Sequence, residues 1–404
     1  MIRINGYLHR DEFCDVIRRW MYNQPHPSDA RTITHLIHFN TNYTARYLKI
    51  FSDELFGLLY GPPCACRPAL YKRDLKDFIV CNPPQMNPRI EDLIFQYRLY
   101  PERYYRETPF EGQLYYVLQQ QREVFVGGNR HKRVRRLAEK SARRLIDHIF
   151  EVIKRRADEL ATARANRLGI ERKYLITKPE DMQAEFYRAE ERVVEDIRRK
   201  RPLDIVRDLA INDVAGVKVI LEDSQYKRLL ACIDKIDSCR VLEEERHVGK
   251  YNAINLLLSY SPPKEEILGQ PLCARTLDVL TRRGLEPRRA HEEFARFVRQ
   301  GEDEVFIEII VSNYQEMLES EIGRCMHEER VSDQRWKQEY RGDLAKNVEY
   351  LMLFMFNFAL SPMREVGELP IKLWHRYLPD TFDDLIRKMF DIPPLRLLDD
   401  PPCS

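Results

Sequence analysis

The stretch INDVAGVKVILE, residues 211–222, is the feature that most constrains how this chain folds. Its apolar part, VAGVKVIL, predicts a buried strand, and the acid Asp213 comes directly before it. A carboxylate at the entrance of a buried strand is held rigidly and partly desolvated, which suits a metal ligand. The same position also suits a residue that only caps a turn before the strand.

A second strand pattern far downstream, EVFIEIIVS, carries Glu308 in its middle. Alternation of apolar and polar positions would by itself place Glu308 on the solvent face of that strand. The two acids together, each on a predicted strand, favour a shared site over two unrelated surface carboxylates. We therefore take Asp213 and Glu308 as candidate catalytic and metal-binding residues.

Composition limits the classes of protein that the chain can belong to. A formal charge of +2 over 404 residues excludes a molecule that binds polyanions with its whole surface. The nine cysteines have no repeated spacing, which is typical of a reducing compartment, and residues 1–10 lack the apolar core of a signal peptide. The longest apolar run, residues 351–360, is too short to cross a membrane. These observations predict a cytoplasmic protein without a membrane span.

Periodicity along the chain predicts four regions of a mixed α/β (α+β) protein. We expect a helical N-terminal region of unknown role over 1–128, and a long basic helix followed by a second helix over 129–200. Strands and helices then alternate over 201–330, with an insertion at 261–303, and this order predicts a domain with a mixed sheet. Residues 331–404 are expected to form C-terminal helices and a tail.

The long helix is unusually basic at its start. Between residues 130 and 144 it carries eight Lys and Arg residues against the single acid Glu139. Such a face is most often simply solvated, and contact with RNA or phosphate is the alternative.

The order of four segments in residues 172–330 resembles the synthetase domain of the RelA/SpoT family, the alarmone synthetases. NDVAGVKVI resembles the family's D-x-A-G-x-R-x-I strand, HVGKYNAINLLL its G-Y-R-S-x-H strand, and EVFIEIIVS its V-E-x-Q-x-R-T strand. EIGRCMHEE resembles the A-E-x-x-x-H segment, and upstream ITKPEDM resembles the R-x-K-x-x-x-S region.

The resemblance implies a nucleotidyltransferase-like fold and Mg²⁺-dependent transfer of pyrophosphate from ATP to the 3′-hydroxyl of a guanine nucleotide. Asp213 and Glu308 would then hold Mg²⁺, with Glu308 also a candidate general base. The family pattern, or a positive charge close to the matching segments, implies five nucleotide-binding residues: Lys178, Lys200, Lys218, Tyr251 and His327. Tyr251 would stack on the guanine base.

The sequence also departs from the family pattern. Asn252 and Asn255 replace an arginine and a histidine, and Ile310 and Ser312 replace a glutamine and an arginine. Two alternatives therefore stay open beside the alarmone synthetase. One is pyrophosphoryl transfer to the 3′ end of a tRNA held by residues 130–144, and the other is a non-catalytic module that binds a nucleotide or a protein.

Overall fold

The structure, a computed structural model, describes residues 2–61, 64–203, 209–249, 252–336 and 339–393. The helices of this part of the chain are α1 (Arg10–Met21), α2 (Asp29–Tyr60), α3 (Lys72–Cys81), α4 (Pro88–Leu99), α5 (Val134–Arg167), α6 (Pro179–Arg198), α7 (Tyr226–Ile233), α8 (Lys264–Leu268), α9 (Ala274–Arg282), α10 (Pro287–Gln300), α11 (Tyr314–Ile322), α12 (His327–Trp336), α13 (Asp343–Leu360) and α14 (Pro379–Met389). The strands are β1 (Ile2–Ile4), β2 (Cys64–Tyr71), β3 (Pro109–Gln119), β4 (Arg122–His131), β5 (Leu209–Ile211), β6 (Ala215–Ile220), β7 (Cys239–His247), β8 (Ala253–Tyr260) and β9 (Val305–Ser312).

Seven strands form one mixed sheet in the order β2-β3-β4-β6-β9-β8-β7. β6 and β9 are parallel neighbours at its centre, and the other neighbouring pairs are antiparallel. Parallel neighbours require a long crossover, which here runs through α7, β7, β8 and the insertion helices α8 to α10. The expectation of a mixed α/β fold is confirmed.

The region before residue 128 is not purely helical, and that prediction is wrong. Helices are present where the sequence predicts them, in α1 and at the end of α2, but β2, β3 and most of β4 also lie in this region. Among these strands β3, PFEGQLYYVLQ, starts with Pro109, Glu111 and Gly112, which are depleted in strands, so its first half gives a weak local signal. Pairing with β2 and β4 is what makes it a strand.

The glycine pair Gly127 and Gly128 lies inside β4, although the sequence favours a boundary there. An added Cβ at Gly127 would lie 2.3 Å from the Lys218 carbonyl oxygen and 2.5 Å from the Phe56 ring. Gly127 also has a φ of 159°, at the edge of the region that favours glycine. Close packing of α2 and β6 on β4 therefore accounts for the glycine, and no domain boundary is needed.

Residues 314–336 form two helices, α11 and α12. Gly323 leaves the helical conformation, and a Cβ there would lie 2.2 Å from the Glu319 carboxylate. The turn packs directly onto α11, and α12 then starts at His327. This break brings His327 to the start of a helix near the sheet.

The buried core runs through all four predicted regions. One apolar cluster joins side chains of α1 and α2, the sheet strand β6, and helices α5, α10 and α13. α13 packs against both α5 and α2, so the C-terminal helices belong to the same core as the N-terminal ones. Among the described helices, none combines the length and the apolar character needed to cross a membrane.

Candidate functional site

The two faces of the central sheet differ in how they are covered. Ala215, Val217 and Val219 of β6 are buried, as are Ile307 and Ile309 of β9. Because α2 contacts both β4 and β6, this apolar face lies against the helical core. The residues between them point to the opposite face and are only half-buried, so the sheet presents a partly open surface at its centre.

A row of functional side chains crosses this partly open face. Arg130 on β4 pairs with Gly216 on β6, and Gly216 pairs with Glu308 on β9. Paired residues of neighbouring strands share a face, so Arg130 and Glu308 flank Gly216 on the same side. A Cβ built at Gly216 would meet only two backbone oxygens, each at 3.9 Å. The surface between Arg130 and Glu308 therefore has room above it.

Asp213 lies just before β6, three residues before Gly216, and is bound by two lysines. Its Oδ2 atom accepts hydrogen bonds from the Nζ atoms of both Lys132 and Lys140. Lys132 is positioned by the sheet, because it directly follows β4 and its N–H donates to the Val214 carbonyl over 2.7 Å. Lys140 lies six residues after the start of α5 at Val134, and it reaches the same carboxylate from the helix.

Asp213 and Glu308 have opposite protonation tendencies. Burial favours the neutral form of Asp213, but the charges of Lys132 and Lys140 outweigh it and lower the pKa of the carboxyl well below its usual value. Burial raises the pKa of Glu308, and the charge of Asp213 raises it further. The acids are thus near enough to interact. A pair in which one carboxyl stays ionised and the other shifts towards neutral pH is typical of acid–base sites.

The pKa of Lys132 is itself shifted. Burial lowers the pKa of Lys132 to about 7, and the neighbouring Lys140 charge adds to this effect, while Asp213 opposes it. A desolvated lysine close to neutral pH is a group that a change of ligand can switch between charged and neutral forms.

The other end of the open face holds a second charged cluster, centred on Glu321 of α11. Glu321 accepts a hydrogen bond of 2.6 Å from Lys72 and lies 3.9 Å from Lys218, whose Nζ also donates to Ser320 over 2.9 Å. Lys72 further pairs with Glu328 at 3.2 Å. The cluster connects α3, β6, α11 and α12 beside the sheet.

Two lysines of this cluster are almost fully buried. Lys72 is 3% exposed and Lys76 is 0% exposed, and the Lys76 Nζ atom lies 3.5 Å from Glu328. The nearby lysines hold the pKa of Glu321 well below its usual value although burial acts to raise it. Burial also lowers the pKa of Lys218 to about 8, with Glu321 opposing this and nearby cations adding to it. Buried charges of this kind persist only when they are paired, so the cluster is a built feature of the fold.

His327 lies beside the same cluster, and its role in binding a nucleotide stays a prediction. It is half-buried at the start of α12, and its pKa is lowered well below the usual value, first by burial and then by the charges of Arg130 and Lys72. Arg130 and Lys72 also act on Lys218. Lys218 and His327 therefore share one cationic environment, which favours an anionic ligand.

Two of the predicted nucleotide-binding residues, Lys178 and Lys200, lie beside distant parts of α5 and not beside Asp213. Lys178 follows Thr177, whose hydroxyl accepts a hydrogen bond of 2.7 Å from Arg164. Arg164 comes 24 residues after Lys140 in α5, about 36 Å along the helix. The number of residues between ITKPEDM and the strands does not predict the distance from Lys178 to the acids, because α6 runs back along α5.

Lys200 is also remote from the two acids. It follows α6 at a turn in which the Arg201 N–H donates to the Asp196 carbonyl over 2.8 Å, and Asp196 pairs with Arg156 of α5 at 2.7 Å. Arg156 lies 16 residues after Lys140, about 24 Å along the helix. Tyr251, the predicted base-stacking residue, lies outside the residues that the structure describes.

The positions that depart from the family pattern are distributed unevenly. Asn255 and Ile310 pair across β8 and β9 and share the open face with Glu308. Asn252 is exposed, and its side chain donates to Glu316 over 2.7 Å. Ser312 is buried at the end of β9. The open face thus presents an amide and an aliphatic side chain where the family has a histidine and a glutamine.

The partners of the predicted residues Asp213 and Lys218 are not visible in the sequence. Lys132 and Lys140 were predicted only as part of a basic helix face, and Lys72 and Lys76 were not predicted at all. A signal for the second pair exists, because Lys72, Lys76 and the buried Ile79 recur at helical spacing in KRDLKDFIVC. Lysines on the apolar stripe of a short helix indicate buried partners.

The basic segment 130–144 divides between two surfaces. Arg130, Lys132 and Lys140 point into the acid site, as described above. Arg136 and the distant Arg335 both donate to Glu139. The side chain of Arg135 is 80% exposed. The segment therefore is not one continuous basic stripe, and binding of RNA through it remains a prediction.

The residues at the acid site fit Mg²⁺ only together with a phosphate ligand. Within the described residues, no group of three or more His, Cys, Asp or Glu side chains is arranged to hold a metal ion. Mg²⁺ is commonly bound by one or two carboxylates plus substrate phosphates and water, and Asp213 with Glu308 would supply such a pair.

Comparisons with known protein families, with curated proteins and with solved structures found no match to this chain.

Proposed function

We propose that this protein transfers a pyrophosphoryl group from ATP to a hydroxyl group of a second nucleotide on the open face of its central sheet. One observation carries the proposal. Arg130 and Glu308 flank Gly216, which has free space above it, and Asp213 lies just before the same strand. The rest of the open face would then bind the two nucleotides.

The acids would have separate roles. Glu308, with a pKa raised by burial and by Asp213, would accept the proton of the attacking hydroxyl. The hydroxyl oxygen would form a bond to the β-phosphorus of ATP. At the same time, the bond from that phosphorus to the oxygen shared with the α-phosphorus would break, and AMP would leave with that oxygen. Asp213, which stays ionised, would bind Mg²⁺ together with the phosphates. Mg²⁺ would supply charge neutralisation of the triphosphate.

The lysines that bind Asp213 would then change partners. Without a ligand, Lys132 and Lys140 neutralise Asp213. When Asp213 contributes to the binding of Mg²⁺, both ammonium groups would be available to phosphate oxygens of the same ligand. Lys218 and Arg130 would add charge stabilisation further along the face, which is the main source of catalysis in phosphoryl transfer.

The proposal extends the resemblance to the alarmone synthetases, with their nucleotidyltransferase fold and guanine nucleotide acceptor. Two parallel central strands support it, since β9 contains Glu308 and Asp213 lies just before β6. Asn255 and Ile310 on the open face argue for a contact with the acceptor that differs from the family's. The acceptor is therefore best sought by experiment among GDP, GTP and tRNA.

The test is incubation of the full chain with radiolabelled ATP, Mg²⁺ and each acceptor in turn. We expect labelled product with at least one acceptor, and Glu308→Gln should lower its rate at least about 100-fold because the general base is lost. Glu304→Gln, which removes an exposed acid just before the same strand, is the matched control and should retain activity within twofold. Absence of product with all three acceptors from a folded protein would overturn the proposal.

A steric variant tests the site without changing its charges. Gly216→Leu places a side chain in the open space between Arg130 and Glu308, and the backbone there does not require glycine. We expect loss of ATP binding in equilibrium dialysis, with an unfolding free energy within about 1 kcal/mol of the wild type. ATP binding equal to that of the wild type would show that the nucleotide lies elsewhere.

A second candidate function is a non-catalytic module that binds a nucleotide. The observation in its favour is that Asp213 already carries two lysine partners, so its negative charge is compensated without a metal ion. This candidate predicts ATP binding without transfer, and it predicts that the double variant Asp213→Asn and Glu308→Gln keeps its ATP affinity. A large loss of affinity in that variant would contradict it.

A further inference from the structure

A groove rich in arginine lies between the start of α2, the insertion helices α9 and α10, and the residues after α13. It consists of two adjoining cavities of about 430 Å³ and 240 Å³, which share Arg31, Arg289 and Glu293 in their walls. Cavities of a few hundred cubic ångströms are the usual size for small-molecule sites. We call this feature the arginine groove.

The lining of the arginine groove carries a surplus of positive charge. Six arginines line it, namely Arg31, Arg283, Arg288, Arg289, Arg296 and Arg364, against the three acids Glu286, Glu292 and Glu293. His35 also lines it, and burial lowers its pKa to about 4, so it adds no charge at neutral pH. The groove therefore has a formal excess of three positive charges.

Buried groups hold several of these arginines in place. Glu293 is 7% exposed, and its Oε1 atom accepts hydrogen bonds from both Arg31 and Arg289. Arg283 donates to the Ser361 carbonyl over 2.8 Å and 3.0 Å, and also to the Thr34 hydroxyl and the Phe358 carbonyl. Arg283 is thus part of the frame, whereas Arg31 and Arg289 keep most of their side chains exposed to the groove.

The guanidinium groups of Arg31 and Arg289 are therefore preorganised. Their side chains are 60% and 66% exposed, although both are bound to one buried carboxylate. A guanidinium has five N–H donors, so each retains donors for a ligand. Fixed, planar donors of this kind match phosphate groups and lose little entropy on binding.

The arginine groove is separate from the acid site. Arg31 lies 16 residues before Tyr47 in α2, about 24 Å along the helix. The Tyr47 hydroxyl contacts the Gly6 carbonyl, and Gly6 packs against Val214, next to Asp213. In addition, α2 covers the apolar face of the sheet, whereas Glu308 points to the opposite face. A ligand in the groove would not contact Asp213 or Glu308.

We propose that the arginine groove binds a small molecule carrying two or more phosphate groups, at a site distinct from the proposed nucleotide site. The excess of three charges requires a multiply charged anion, and the preorganised arginines select phosphate geometry. The acids Glu286 and Glu292 at the rim disfavour a long nucleic acid, which would have to pass them.

Isothermal titration calorimetry with inorganic triphosphate tests this proposal. The titration uses the full chain carrying Gly216→Leu, so that the open face of the sheet is blocked. We expect one binding event, weakened at least tenfold by Arg31→Gln with Arg289→Gln. The matched control, Arg282→Gln with Arg299→Gln, removes two arginines that line neither cavity and should bind as before.

Two results would overturn the proposal: no binding by the Gly216→Leu chain, or an equal loss of affinity in both double variants. If Arg31→Gln with Arg289→Gln does not fold, Arg288→Gln with Arg364→Gln removes two exposed lining charges and should give the same loss. Equal triphosphate binding by the wild type and Gly216→Leu would count against the proposed nucleotide site and leave the groove proposal standing.

A second arm separates a soluble ligand from a lipid headgroup. Vesicles of phosphatidylcholine with phosphatidylinositol bisphosphate are sedimented with each variant. Cosedimentation that is lost in Arg31→Gln with Arg289→Gln and kept in the control assigns the groove to the headgroup. Triphosphate binding without cosedimentation assigns it to a soluble phosphate compound.

Discussion

The two faces of the central sheet are built from the same strands and differ in nearly every physical property. On one face, the side chains of β6 and β9 are aliphatic, buried and packed towards α2. On the other, the same strands present Lys218 and Glu308, half-buried, between clusters of ionised groups. The comparison teaches that stability is concentrated on the first face and that chemistry is available only on the second.

Neighbouring residues of β9 provide the most direct test of this difference. Ile309 is fully buried and Ile310 is half-buried on the open face. Ile309→Ala should lower the free energy of unfolding by about 4 kcal/mol, because it leaves a cavity in a close-packed core. Ile310→Ala should cost about 1 kcal/mol. Urea denaturation measures both, and equal losses would show that the faces are equally important for stability.

Removing a buried charge from the second cluster should have the next largest effect. Lys72→Met leaves Glu321 and Glu328 buried with fewer partners, so we expect a loss of about 3 kcal/mol in unfolding free energy. Lys49→Met breaks the exposed pair with Asp53 and should change stability by less than about 0.5 kcal/mol. A loss in Lys72→Met as small as that of the control would mean that the cluster plays no part in holding α3 on α11 and α12.

The titration of Lys218 should make the free energy of unfolding depend on pH. Its pKa is about 8 in the folded protein and near 10.5 in the unfolded chain. Between these values the unfolded state binds more protons, so this group makes stability rise with pH from about 8 to 10.5 and adds no slope below pH 8. Lys218→Met should remove a rise of about 2 kcal/mol between pH 7.5 and 9.5. Unfolding free energies at pH 7.5 and 9.5 for both proteins measure the difference, and an unchanged slope would contradict it.

The smallest effect is expected at the two lysines that lie away from the open face. Lys178→Gln and Lys200→Gln should leave ATP binding and transfer within twofold of the wild type, because both positions lie beside α5 far from Asp213. Lys132→Gln, which removes a direct partner of Asp213, is the positive control and should weaken ATP binding clearly. A strong loss in Lys178→Gln would mean that α6 approaches the site when the ligand is bound.

The sequence predicts the local elements between residues 132 and 390 well. The strand patterns VAGVKVIL and EVFIEIIVS have close counterparts in β6 and β9, and the helices expected after residue 331 include α13. In these segments the apolar period, the caps and the buried environment agree with one another. The strands β2 and β3 were missed because their sequences are locally ambiguous and only pairing within the sheet makes them strands.

The site could be predicted in part for a related physical reason. A polar residue inside an apolar strand pattern is visible in one sequence, and so Asp213, Lys218 and Glu308 were identified. The partner of such a residue depends on which strand lies next to it. Lys132 and Lys140 reach Asp213 because β4 pairs with β6, and Lys72 reaches Glu321 because α3 packs near α11.

The sequence by itself therefore determined the periodic elements and the three charged residues that interrupt the central strands, because both are properties of short segments. Tertiary structure alone decided that β4 lies beside β6, that one face of the sheet stays partly open, and that arginines from α2, the turn after α9, α10 and the residues after α13 meet in one groove. These features depend on contacts between residues far apart in the chain. Such contacts are fixed by packing of the whole core, and no local pattern specifies them.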